Sequence, residues 1–309
     1  MKKAFLQLHL SIVCSSFTGI FGKLITLSAG LLVFWRIMIA CSCLWLWLYL
    51  RKQIEKTTKR DKIGMLLVGV LLAIHWTFFY ASIKTGNVSV TIVSFSTIGF
   101  FTALVEPLMT KRRIDPREIF FSCISLAGVM CIFGFNTSMR LCIILSLLAA
   151  FTAAILAVYF KKYRARYQST TVLSWQLLGA LGFCFAAMPL YFHVMPPEPF
   201  WPSWPNTLWL PIFAIFSTLF MYILQISSLE KISAFTVNLT YNLEPVYTII
   251  LAFIIFDEHK NVSWPFYVGI TLIGLAVLLT TLSTIHQRRR ADKAMALKEK
   301  RKLEESAAS

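Results

Sequence analysis

Long apolar runs alternate with short polar ones along the whole chain. The apolar stretches cover about 4–24, 30–50, 63–83, 88–110, 118–135, 139–160, 170–192, 208–229, 234–256 and 265–285. Each approaches the roughly 20 residues that a helix needs to cross a hydrocarbon core of about 30 Å. None alternates with period 2, so the pattern predicts helices rather than the closed barrel that is the other way to satisfy every backbone group in lipid. The expectation is an all-α integral membrane fold with ten transmembrane helices.

Composition sharpens this reading. Of the 309 residues 57% are hydrophobic and 14% charged, against roughly 45–50% and about 25% in soluble domains. Soluble enzyme folds are thereby excluded. The formal charge of +16 would suggest nucleic acid in a soluble chain, but in a membrane chain Lys and Arg first orient the helices. A cytoplasmic N-terminus puts 25 of the 30 Lys and Arg in inside loops and the tail, four outside, and Arg36 within the second span. Both termini are therefore expected in the cytoplasm, with membrane lipids and no nucleic acid as partners. The loop 193–207, rich in Trp and Pro, belongs at the outer interface. From His286 onward the chain reads as a solvated basic tail, with Arg288–Arg290 drawn to anionic lipid. Seven cysteines fall within or beside apolar runs and read as packing residues, not as disulfides or metal ligands.

The sequence also repeats itself. Shifted by 146 residues, 79–89 falls on 225–235 without a gap, and the register continues with Gly99 on Pro245, Thr102 on Thr248, Ile124 on Ile270 and Gly128 on Gly274. A shift of 140 brings Arg36 onto Gln176. Phe17-Thr18-Gly19 recurs as Phe151-Thr152-Ala153, which makes the first run part of a repeated core rather than a leader. The expected organisation is a first five-helix repeat at 1–138, a second at 139–285 and a cytoplasmic tail at 286–309. Because five is odd, the halves must cross the membrane in opposite senses, an inverted-topology repeat of the kind transporters use.

Few residues in these runs can carry chemistry. Glu244 lies about eleven residues into the ninth run, where an ionised acid costs a few kcal/mol or more and is functional by default. Pro245 follows it and loosens the turn. At 100° per residue, Asn238, Tyr241, Asn242 and Thr248 share its face. His75 and Trp76 lie mid-way along the third run. The imidazole's ordinary pKa of about 6.5 suits proton exchange, and Glu244 would be its carboxylate partner. Trp76 offers an aromatic face for stacking. Arg36 offers a bidentate fork for a carboxylate, and Gln176 is its polar counterpart in the second half. Glu106 and the Asp257-Glu258 pair sit near helix ends, where solvation at the interface is expected. The sequence lacks G-x-x-x-x-G-K-[ST] and H-E-x-x-H, so no ATPase, catalytic residue, metal or other cofactor is expected.

H-W-T-F-F-Y-A-S-I-K-T-G-N-V-S at 75–89, F-F-T-A-L-V-E-P-L at 100–108 and L-E-P-V-Y-T-I-I-L-A-F-I-I-F-D-E at 243–258, set in two five-helix halves, resemble the EamA-type permeases of the drug/metabolite transporter superfamily. The resemblance spans about residues 4–285. It implies a bacterial inner-membrane carrier that typically exports amino acids, metabolites or drug-like compounds through a cavity between the halves. The expected function is secondary transport of a small-molecule solute by alternating access, with proton coupling through Glu244 and His75 and self-association into a homodimer left open. The competing readings are a membrane-embedded enzyme acting on a lipid-linked substrate and a scaffold or sensor working through the basic tail.

Overall fold

The computed structural model describes residues 2–111, 116–135, 137–194, 199–221, 224, 243–276, 278–279 and 282–283, and all its regular elements are helical. They are α1 (Lys2–Leu24), α2 (Ala29–Leu50), α3 (Lys59–Thr85), α4 (Val88–Phe95), α5 (Ile98–Thr110), α6 (Pro116–Phe135), α7 (Arg140–Arg164), α8 (Ser169–Val194), α9 (Trp204–Ala214) and α10 (Glu244–Phe256), with α11 at Trp264–Ala276. Among the described residues six spans are long and apolar enough to cross a membrane: α1, α2, α3, α4 with α5, α7 and α8. The chain is a multi-pass membrane protein.

The interior is largely apolar but carries hydroxyl side chains as well, and the surface is apolar too. Serines and threonines such as Ser16, Ser82, Ser89, Thr91, Ser94 and Ser146 are buried, while Leu46, Leu50, Leu67, Leu190 and Ile254 lie more than half exposed. In water such a surface would aggregate, but against lipid it needs no further cover. Two of these alcohols bond across helices to carbonyls: Ser82 Oγ donates to that of Cys142 at 2.8 Å and Ser146 Oγ to that of Thr91 at 2.7 Å. These join α3 and α4 to α7.

α3 packs chiefly on α7 and α8. Small residues make this close approach feasible, because helix association in lipid relies on packing rather than on hydrophobic exclusion. α7 buries Ala149, Ala150, Ala153 and Ala154. On α3 a Cβ at Gly69 would lie 2.0 Å from the Gln176 carbonyl oxygen, and on α8 one at Gly179 would lie 2.1 Å from that of Leu66. The two backbones are in direct contact at these glycines.

The fourth apolar run, 88–110, is two helices rather than one. α4 ends at Phe95 and α5 begins at Ile98. At the break, Ser96 Oγ donates to the Ile92 carbonyl at 2.9 Å and Thr97 Oγ1 to that of Ser94 at 2.7 Å. Such local bonds compete with the helix's own and bend it. The second helix of this pair has a counterpart one repeat later. α5 and α10 are both 13 residues long, start 146 residues apart, and close on a left-handed residue, Lys111 (φ 54°) and Asp257 (φ 54°). In the second half, α10 starts at Glu244, the residue one repeat beyond Ile98.

Candidate functional site

Glu244 opens α10, with Leu243 at the N-cap. The amide N–H groups of a helix's first turn have no partners within the helix and carry partial positive charge, so a carboxylate is favoured there. Ser15 of α1 donates its hydroxyl to Glu244 Oε1 at 2.5 Å. Thr248 Oγ1 donates to the Glu244 carbonyl at 3.0 Å and lies 3.3 Å from that of Ser16. The carboxyl lines a cavity of about 230 Å³ with Ser15, Thr18 and Gly19 of α1, Phe79 of α3, Ile92 and Phe95 of α4, Ser96, Ile98, Pro245 and Thr248. Elements of both sequence halves thus form its walls, and the α4–α5 break supplies Ser96. Gly19 permits the closeness, since a Cβ there would meet Val88 Cγ1 at 2.9 Å and Thr248 Cγ2 at 3.2 Å. Drug-sized pockets usually enclose about 300–1,000 Å³, so this one suits a smaller solute.

Of the other expected site residues, Arg36, His75, Trp76 and Gln176 are not among the side chains that line this cavity. His75 hydrogen-bonds through Nδ1 with the Ala149 carbonyl of α7 at 2.9 Å. Its ring packs beside Phe79 and Phe95, which line the cavity, with centroids 6.4 and 5.8 Å away. Arg36 is 3% exposed and ties three helices together. Its Nε and Nη2 donate to Thr218 Oγ1 at 3.1 and 3.0 Å, and Nη1 donates to the Tyr80 hydroxyl. The guanidinium carbon lies 4.0 Å from the Trp76 ring centre and 4.3 Å from that of Phe213. Trp76 therefore stacks against Arg36. Thr218 belongs to a π-helical turn, Ile215–Phe220, that continues α9, and such turns redirect side chains at functional places. Gln176 is buried at the α3–α8 contact. Asn238, Tyr241 and Asn242 lie outside the described residues.

One strong polar centre escaped the sequence reading. Glu258, expected at a solvated interface, is 0% exposed. Its carboxylate accepts from the Val88 N–H at 2.9 Å, the Ser89 N–H at 2.8 Å and Ser89 Oγ at 2.6 Å, and pairs with Lys23 Nζ at 2.8 Å. It caps α4 together with Asn87, whose Oδ1 accepts from the Val90 N–H at 2.8 Å. The sequence signal was present as an acid closing the ninth run, but nothing in the sequence brings it to the start of α4. Asp257 beside it is solvent-facing. A hydrogen bond from Lys260 at 3.0 Å, with the charge of that ammonium, holds its carboxyl below the usual range.

The site is thus a mostly apolar cavity walled by both halves of a helical membrane protein, with hydroxyls and one acid at a helix start. The EamA-like transporter family model matches the chain twice, at residues 2–134 and 140–282. The chain belongs to the EamA-like transporter family, as a membrane transporter built from repeated halves. No curated protein matches it. Among solved structures it is similar in fold to a protein of known crystal structure, with a TM-score of 0.61 and 15% identity over 93% of this chain and 99% of that one.

Proposed function

We propose that the protein is a secondary carrier, working as an exporter in a bacterial inner membrane, with ten spans arranged as two inverted five-helix halves and both termini cytoplasmic. The two units run over 1–138 and 139–285, and 286–309 is the tail. The observation that carries this reading is Glu244 at the head of α10, in a cavity bounded by α1, α3 and α4 of one half and α10 of the other. Transporters place their sites at helix starts between repeated halves, and rocking of one half against the other exposes the site to each side in turn.

In this mechanism a small organic solute with a cationic or hydrogen-bond-donating group is held by the Glu244 carboxylate. The hydroxyls of Ser15, Thr18, Ser96 and Thr248 add directional contacts, and Phe79 and Phe95 pack on its apolar part. Glu244 either exchanges a proton against the solute or holds the solute directly. Arg36, Trp76 and Gln176 position helices around the site, and His75 braces α3 on α7. Asn238, Tyr241 and Asn242 are assigned to the same face as Glu244 by their spacing. Neither catalysis nor a cofactor enters this mechanism.

The test is saturable flux of candidate metabolites in proteoliposomes, comparing the native protein with Glu244→Gln at several pH values. Carriage without chemical change, lost or made independent of pH in the variant, is the expected result. Full, equally pH-dependent flux in the variant would remove Glu244 from the mechanism, and chemical conversion of the solute would favour the enzyme reading.

A further inference from the structure

A second cavity, of about 510 Å³, lies far along the helices from Glu244, where the start of α3 meets the end of α7. Its lining combines Arg60, Lys162 and Arg166 with Ile63, Gly64 and Leu67. Arg60 and Lys162 are exposed. One carboxylate, Asp61, lines it too, but that group is already engaged. It receives Arg166 Nη1 at 3.3 Å, the Tyr167 hydroxyl at 2.7 Å and the Thr58 hydroxyl at 3.0 Å. The floor is shaped by Gly64, where a Cβ would lie 1.9 Å from the Tyr163 hydroxyl. Below the basic rim, Ile63 and Leu67, four residues apart on one face of α3, are 59% and 65% exposed. The cavity therefore has a cationic end at the membrane boundary and an apolar wall running into the hydrocarbon.

We infer that this cavity is a binding site for an anionic phospholipid, whose headgroup phosphate is held by Arg60, Lys162 and Arg166 and whose acyl chains lie along Ile63 and Leu67. A free phosphate would use the rim but gain nothing from the apolar wall, and a zwitterionic lipid would bring its own cation against three others. Basic pockets between helices at the cytoplasmic face suit such headgroups. Arg166 is paired with Asp61 and the Lys162 ammonium lies over the Tyr159 and Tyr163 rings, so the rim keeps its shape while Arg60 and Lys162 supply exposed positive charge. Substrate, coupling and direction of transport do not enter this inference, so it stands or falls apart from the carrier mechanism.

The experiment is a thermal-shift titration of the full-length purified protein with dioctanoyl phosphatidylglycerol, dioctanoyl phosphatidylcholine and inorganic phosphate. Ligands that bind the folded state raise the transition by mass action. Saturable stabilisation by phosphatidylglycerol alone is expected. R60Q/K162Q should weaken it about thirty-fold, at roughly fivefold per cationic side chain near a lipid surface. The charge-preserving R60K/K162R should retain it, as should R288Q/R289Q, which removes tail charge of equal size. Both targeted side chains are exposed, so the unliganded transition serves as the check that each variant is folded. An undiminished phosphatidylglycerol shift in R60Q/K162Q, equal stabilisation by phosphatidylcholine, equal loss in R288Q/R289Q, or inorganic phosphate alone reproducing the shift would each overturn the assignment.

Discussion

Replacing Glu258 by Gln removes a charge while keeping the side chain's shape, and the consequence follows from its four partners. The native carboxylate accepts from two backbone N–H groups, one hydroxyl and one ammonium, all between 2.6 and 2.9 Å. A carboxamide accepts through one oxygen only, and its NH₂ group turns donors toward donors. About two of the four bonds are lost, each charge-assisted and worth about 1.5–3 kcal/mol. Lys23 is a third exposed and regains water, so the larger cost falls on the N–H groups at the buried start of α4. A destabilisation of about 3–5 kcal/mol results, which lowers a thermal transition by about 6–10 °C. Lys23→Gln alone should cost only about 1 kcal/mol, because its ammonium reaches solvent. In the Glu258→Gln background it should cost less still, since the two residues share the interaction. The assay is thermal unfolding of detergent-purified variants as a double-mutant cycle. If Glu258→Gln melted within 1 °C of the native protein, the argument that this acid caps α4 would fail.

Other substitutions test separate parts of the structure. Gly179→Ala places a methyl against the Leu66 backbone, which cannot yield as a side chain would; it should cost about 1–3 kcal/mol, while Gly182→Ala, with nothing within 4 Å, should melt close to the native temperature. Arg36→Lys loses the planar stack on Trp76 and the two-nitrogen grip on Thr218, and a drop of about 2 kcal/mol in unfolding free energy is expected; an unchanged melt would show that a point charge suffices there. Asp257→Gly should match or exceed native stability, because glycine takes the left-handed conformation without steric penalty. At that position the pairing with Lys260 depresses the native pKa, so its small contribution is present above the unfolded value and disappears as pH falls through the folded one; the variant's margin over the native protein should therefore widen in that acid range. Ser15→Ala removes the hydroxyl donor to Glu244 Oε1 and should change the pH dependence of flux with little effect on melting.

The sequence by itself determined the solvent. Runs of about 20 apolar residues leave helices in lipid as the available structure, and the six long spans follow directly. It also carried the repeat, since the 146-residue register that aligns Gly99 with Pro245 reappears as two helices of equal length with the same left-handed closing residue. Identifying Glu244 needed no more than the rarity of an acid in an apolar run. What the helices bring together was decided by tertiary packing. Arg36, His75 and Glu244 each look like site residues along the chain, yet of the three only Glu244 lines the cavity, because Arg36 is held by Thr218 and Tyr80 and His75 by the Ala149 carbonyl. Ser96 joins the cavity because two hydroxyl back-bonds interrupt one apolar run, a local competition that hydropathy does not register. Glu258 is the clearest case: an acid at the end of a helix reads as solvated until a separate helix start is folded against it. One-dimensional pattern fixes which faces meet lipid, because that depends on the residue alone. Partners of buried polar groups depend on contacts between distant segments, and those exist only once the helices are packed.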